Sequence, residues 1–267
     1  VRKTILTIAG SDSSGGAGIQ ADLKSIAANG GYGASVITAI TAQNTREVIA
    51  AEMVGAALLQ AQLRAVFEDL DIAAVKTGML GNREVVEIVA NELQLRRVPA
   101  LVVDPVMISK SGHVLLAADA VASLRSRLFP LASLVTPNVE EASALSGIAI
   151  ETIEDATRAG RNIIEDGAAA ALVKGGHLRS NPATDVLVTK EGVRTFVGEW
   201  IETPHTHGTG CTYSAAIATH LGAGLPLEEA IMNAKRFLTE AIRAGVAVGR
   251  GRGPTDPFFF LPGKDRA

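Results

Sequence analysis

Six short apolar runs, rich in β-branched residues, recur along the chain, and each closes on polar residues. Residues 4–9 lead into Gly10-Ser11-Asp12, 34–41 into Gln43-Asn44, and 72–75 into Lys76-Thr77. Residues 100–103 lead into Asp104-Pro105, 134–136 into Pro137-Asn138, and 169–173 into Lys174. Short continuous apolar runs of this kind suit strands covered on both faces. Between and after them, apolar spacing predicts helices at 19–29, 56–70, 83–95, 118–128, 139–145, 153–166, 212–221 and 227–244. A further strand is predicted at 48–54, and 185–189 with 193–197 read as a hairpin around Lys190-Glu191-Gly192. Strands alternating with helices predict an α/β fold, three layers α/β/α around a mostly parallel, doubly wound central sheet. Ligands of such sheets lie beyond the carboxyl ends of the strands, so the polar clusters are expected along one edge.

With 47% hydrophobic residues in 267, the chain can bury a large core, and no polar or Pro/Gly/Ser-rich linker divides it. We expect one domain over 1–267. A formal charge of −3 with no basic block argues against nucleic acid or an anionic membrane as partner. No apolar run approaches the ~18 residues of a membrane span, and the run at 4–9 is too short for a signal peptide. The single cysteine cannot form an internal disulfide, which suits a reducing, cytoplasmic location.

That cysteine sits in His205-Thr206-His207-Gly208-Thr209-Gly210-Cys211, just before a run of small residues. A glycine turn opening a helix points backbone N–H groups at one spot and adds about half a positive charge there. The spot favours an anion. A helix N-terminus also lowers a neighbouring thiol pKa from about 8.5, so Cys211 is expected to ionise readily. The alternative is a plain helix start with an inert, buried cysteine.

Other motifs are weaker. Gly16-Ala17-Gly18-Ile19-Gln20-Ala21 matches a dinucleotide fingerprint, but it does not leave the strand directly, and no acidic residue ends a second strand at the required distance. No lysine completes a Walker loop after Gly10–Gly15, and there is no G-x-S-x-G elbow. His205 and His207 lack the neighbours of a zinc site. Asn138 and Glu141 share a face of one helical turn. With Asp104 they make a small oxygen set suited to magnesium held against phosphates and water. A capping box between Asn138 and Glu141 is the alternative.

Together these segments resemble the ribokinase-like superfamily and, within it, the hydroxymethylpyrimidine/phosphomethylpyrimidine kinase family of thiamin biosynthesis. The carrying stretches are Ala9 through Lys24, Ser35 through Thr45, Lys76-Thr77-Gly78-Met79-Leu80 and Asp104-Pro105-Val106-Met107. Further on come Thr136-Pro137-Asn138-Val139-Glu140-Glu141, Val173-Lys174-Gly175-Gly176-His177 and Gly208-Thr209-Gly210-Cys211. The resemblance implies ATP- and Mg2+-dependent phosphorylation of 4-amino-5-hydroxymethyl-2-methylpyrimidine, then of its monophosphate. It places the anion hole at Gly208, Thr209 and Gly210 and the base at Cys211. It places the pyrimidine at Gly10, Asp22, Gln43 and Met79, and ATP near Lys174, Asn138 and Glu141. The metal falls to Asp104, Asn138 and Glu141, and a homodimer is the implied assembly. The chain departs from the family at Gly251-Arg252-Gly253-Pro254, where Gly-His-Gly-Pro is common, and in the Phe258-Phe259-Phe260 run that follows. Pyridoxal kinase is the nearest competing reading. A non-catalytic sensor of vitamin precursors is another, although it would have no need of the base and metal positions.

Overall fold

A computed structural model describes residues 2–107, 115–176 and 183–262. His177 lies outside them. In chain order the elements are β1 (Thr4–Asp12), α1 (Gly18–Ala28), β2 (Tyr32–Gln43), β3 (Val48–Met53), α2 (Ala56–Asp69), β4 (Ile72–Thr77), α3 (Arg83–Arg96) and β5 (Leu101–Val103). Then come α4 (Ala118–Ser123), β6 (Leu134–Val135), α5 (Val139–Ser146), α6 (Ile153–Glu165), β7 (Ala170–Val173), β8 (Thr184–Thr189), β9 (Val193–Val197), α7 (Thr209–Gly222) and α8 (Leu227–Arg243). The sheet order is β3-β2-β1-β4-β5-β6-β7-β8-β9. β2, β1, β4, β5, β6 and β7 run parallel, β3 and β8 run antiparallel to them at the two margins, and β9 pairs antiparallel with β8 at the outer edge.

Side chains alternate across each strand, which creates two cores. Leu6 and Ile8 of β1, with Val75 and Val103, pack on Leu59 and Leu63 of α2 and Val86, Val89 and Leu93 of α3. On the other face Ile5, Ala74, Val102 and Leu172 meet Ile26 of α1, Ala215 to Ala218 of α7 and Ile231 of α8. The small residues of α7 let that helix lie close to the sheet, and this closeness sets where its N-terminus stands. A smaller cluster joins Val173, Val186 and Val188 to Ala142 of α5 and Ala156 and Ala159 of α6.

Three boundaries differ from expectation. β1 continues past Ala9, because Ser11 and Asp12 pair with Ile40 and Thr41 of β2 beyond an irregularity at Gly10. The expected helix at 118–128 is α-helical only to Ser123. Leu124–Leu128 forms a π-helical turn and Phe129–Leu131 a 3-10 turn containing Pro130, which has no N–H to continue a helix. α7 begins at Thr209 rather than Thr212, so the glycine turn is part of its first turn.

Candidate active site

Gly208 is the N-cap of α7 and takes a left-handed conformation, φ 76°. A Cβ there would stand 1.8 Å from the Gly16 carbonyl oxygen, so glycine is required both by φ and by the close approach of the first glycine-rich loop. Thr209 N–H reaches the Thr206 carbonyl at 3.4 Å, and the amides that follow, through Cys211, have no helical carbonyl ahead of them. Cys211 keeps some accessible surface, and its sulfur accepts the backbone N–H of Gly18. Burial pushes the thiol up to about 11; Lys76 opposes this, while Asp22 and Asp104 add to it. The expected ready ionisation is therefore corrected. Desolvation by the surrounding protein and two nearby carboxylates outweigh the helix terminus.

Beneath this turn lies a buried ion pair. Lys76 Nζ is 2.9 Å from Asp22 Oδ2 and 3.0 Å from Oδ1, and Thr7 Oγ1 donates to Oδ2 at 2.6 Å. Burial works against the Lys76 ammonium, but Asp22, Cys211 and Asp104 outweigh it and hold it charged. Asp22 has 0% of its surface exposed, so its carboxylate offers a substrate nothing to touch. Asp22, expected at the pyrimidine, faces Lys76 in this structure.

Lys174 reaches across from the end of β7, its Nζ 2.8 Å from Asp104 Oδ1. Ser214 Oγ of α7 is 3.1 Å from Asp104 Oδ2, and Thr136 Oγ1 is 3.4 Å from Oδ1. Burial disfavours the Asp104 charge, but Lys174 and Lys76, helped by Ser214, hold its carboxyl below the ordinary range. A Cβ on Gly210 would lie 3.3 Å from Lys174 Nζ and 3.7 Å from Asp104 Oδ2, so cation, carboxylate and anion-hole turn converge.

The capping box is present at the start of α5. Glu141 N donates to Asn138 Oδ1 and Asn138 N donates to Glu141 Oε2, both at 2.8 Å. Burial pushes Glu141 up to about 7; Lys174 and the N–H groups of Asn138 and Met107 oppose this, and Asp104 adds to it. Among the described residues no group of three His, Cys, Asp or Glu side chains could by itself hold a metal. Two buried carboxylates beside one lysine fit an ion completed by phosphate and water.

Of the residues expected at the pyrimidine, Gly10 and Met79 adjoin, since a Cβ on Gly10 would stand 3.1 Å from Met79 Sδ. Gln43 ends β2, with its amide oxygen 3.2 Å from Thr41 Oγ1 and its amide nitrogen 3.5 Å from His207 Nε2. His207 Nε2 is 2.8 Å from Asp12 Oδ2. Burial works against the Asp12 charge, but hydrogen bonds from His207 and Ser14 outweigh it and hold the carboxyl at about 2. The C-terminal segment joins here too: Gly253 O accepts from His207 N at 3.0 Å. Sequence reasoning gave no role to Lys76, Asp12, His207 or Ser214. The signal available for Lys76 was its place at the polar end of the apolar run 72–75, on the edge where ligands were expected.

The phosphomethylpyrimidine kinase family model matches residues 12–256. The hydroxymethylpyrimidine/phosphomethylpyrimidine kinase of Rhizobium meliloti is 52% identical over 256 residues, covering 95% of this chain and 96% of the relative. The thiamine biosynthesis bifunctional protein ThiED of Geobacter sulfurreducens is 49% identical over 96% of this chain, which spans about half of that relative, 52%. The ADP complex of Bacillus subtilis pyridoxal kinase matches with a TM-score of 0.89 at 38% identity, covering 96% of this chain and 97% of the other. The three-layer ribokinase-like fold is borne out, and the chain belongs to the phosphomethylpyrimidine kinase family.

Proposed function

We propose that this member of the phosphomethylpyrimidine kinase family phosphorylates 4-amino-5-hydroxymethyl-2-methylpyrimidine, and then its monophosphate, from ATP in thiamin biosynthesis. The observation that carries the chemistry is the convergence of Lys174, Asp104 and the Gly208–Cys211 turn at the start of α7. Phosphoryl transfer depends on positioning and on charge stabilisation around the phosphate. Lys174 and the amides of Gly208, Thr209 and Gly210 supply that charge and those donors. The substrate alcohol oxygen attacks the γ-phosphorus, the bond to the ADP oxygen breaks, and the alcohol proton passes to Cys211 in its thiolate form, a minor species at neutral pH because burial raises the thiol to about 11. Lys76 is the fixed cation that offsets the negative charge on sulfur. In the second step the acceptor is a phosphate monoester with a second pKa of about 6, already ionised, and it needs no base.

Gly10, Met79 and Gln43 line the pyrimidine side of this reading, with Asp22 acting through Lys76. Asn138, Glu141 and Lys174 take the ATP phosphates. Asp104, Asn138 and Glu141 would hold Mg2+, partly through water, and the ion supplies charge neutralisation at the phosphate oxygens. Among the described residues no helix is long and apolar enough to cross a membrane. A homodimer in a reducing, cytoplasmic compartment completes the proposal, supported by the single cysteine and by exposed Ile40 and Ile49 at the β2–β3 margin.

The 38% identity to a pyridoxal kinase makes pyridoxal the acceptor to compare. ADP formation should be followed with each acceptor side by side. Preferential turnover of the aminopyrimidine alcohol is expected. Preference for pyridoxal would transfer the reading to vitamin B6 salvage, and turnover of neither would overturn both.

A further inference from the structure

His207 stands one residue before the anion-hole turn and is held from three sides. Its backbone N–H donates to Gly253 O, its ring meets the Asp12 carboxylate, and a Cβ on Gly16 would come within 2.3 Å of its Cδ2. Asp12 also accepts from Ser14 N and Oγ and from Ala17 N, so it is a fully engaged, buried carboxylate. An ionised carboxylate only accepts hydrogen bonds. His207 Nε2 must therefore carry a proton and donate it to Asp12.

The same proton count applies at Thr41. Its Oγ1 is 2.8 Å from the Ser11 carbonyl oxygen, which can only accept, so the hydroxyl proton is spent there. The Gln43 amide lies between these two groups, its backbone fixed by reciprocal 2.8 Å bonds with Ser13 Oγ. With the amide nitrogen toward His207, donor faces donor, and the amide oxygen faces the lone pairs of Thr41. Turned by half a turn, the NH2 donates to Thr41 Oγ1 and the oxygen lies toward the electropositive Nε2–H edge of His207, whose one proton stays with Asp12. The two orientations have the same shape, so hydrogen-bond partners decide between them.

We infer that His207 is a positioning residue that sets which end of the Gln43 amide is presented to the substrate, and thereby selects a 4-amino over a 4-oxo pyrimidine. The inference rests on the proposed role of Gln43 as the pyrimidine reader. A 4-amino group beside a ring nitrogen presents donor then acceptor; a 4-oxo tautomer presents the reverse. An amide locked in one orientation complements only one of these patterns.

The test is the ratio of kcat/KM for the 4-amino alcohol to that for its 4-oxo analogue. In His207→Leu the ratio should fall about tenfold or more, the scale on which a bidentate amide contact discriminates. His207→Gln, which retains an N–H for Asp12, should restore most of it. A general loss of folding or rate would lower both substrates together and leave the ratio unmoved. Thr41→Val carries the same expectation from the other end of the amide and serves where His207→Leu is not recovered folded. Gln43→Ala separates the two ideas. If it collapses the ratio while the folded His207 or Thr41 variants leave it intact, the inference is wrong and the reader role stands. If Gln43→Ala itself leaves the ratio intact, the reader role fails and takes this inference with it.

Discussion

Lys76 and Asp22 face each other with none of their side-chain surface exposed, Nζ 2.9 Å from Oδ2. A buried pair loses its value when one partner goes, because the other charge is left uncompensated. Lys76→Met should lower the unfolding free energy by about 3–5 kcal/mol, read by urea denaturation. Replacing both residues with apolar side chains should cost less than the two single changes added together. Strict additivity would mean that the pair is not the unit.

Cys211 is the chain's only cysteine, so alkylation reports on it alone. With its thiol pushed up to about 11, iodoacetamide should react slowly at neutral pH and faster as pH rises toward that value. A rate already at its plateau near pH 7 would contradict the dominance of burial.

Base removal should separate the two phosphorylations. Cys211→Ala should slow transfer to the alcohol by about 10²–10⁴-fold, the range of general-base catalysis. Transfer to the monophosphate should fall far less. The rates are to be measured separately from each starting substrate. An equal fall in both would assign Cys211 to shaping the anion hole.

Glu141 gives a pH dependence with a defined sign. Its carboxyl is raised from 4.5 to about 7 by burial, so the folded state holds a proton that the unfolded state has lost. The stability this contributes is fully present below about 4.5 and is lost as pH rises through about 7. Glu141→Gln should flatten that decline in a series of Tm measurements. The same variant should shift the magnesium dependence of the rate to higher concentration. An unchanged magnesium titration with a lower Tm would leave Glu141 as a cap alone.

Gln43→Ala should raise KM for the aminopyrimidine strongly and leave KM for ATP nearly unchanged. A matched rise in both would place Gln43 outside the pyrimidine site.

The order of strands and helices, and the edge on which polar residues collect, were legible in the chain itself. Apolar periodicity is a local property, and strands covered on both faces leave their polar residues only at the ends. The glycine turn that opens α7 and the Asn138–Glu141 spacing were legible for the same reason, since a cap is built from residues three apart. Partners brought together by the fold were not. Lys76 and Asp22 are 54 residues apart, and Asp12 and His207 are 195 apart, so no local pattern joins them. The ionisation of Cys211 belonged to the tertiary structure as well. A helix N-terminus can be read from a glycine turn, but desolvation comes from the mass of protein packed around the sulfur. Only the packing of α1 and α7 over the sheet decided that burial would outweigh the helix terminus.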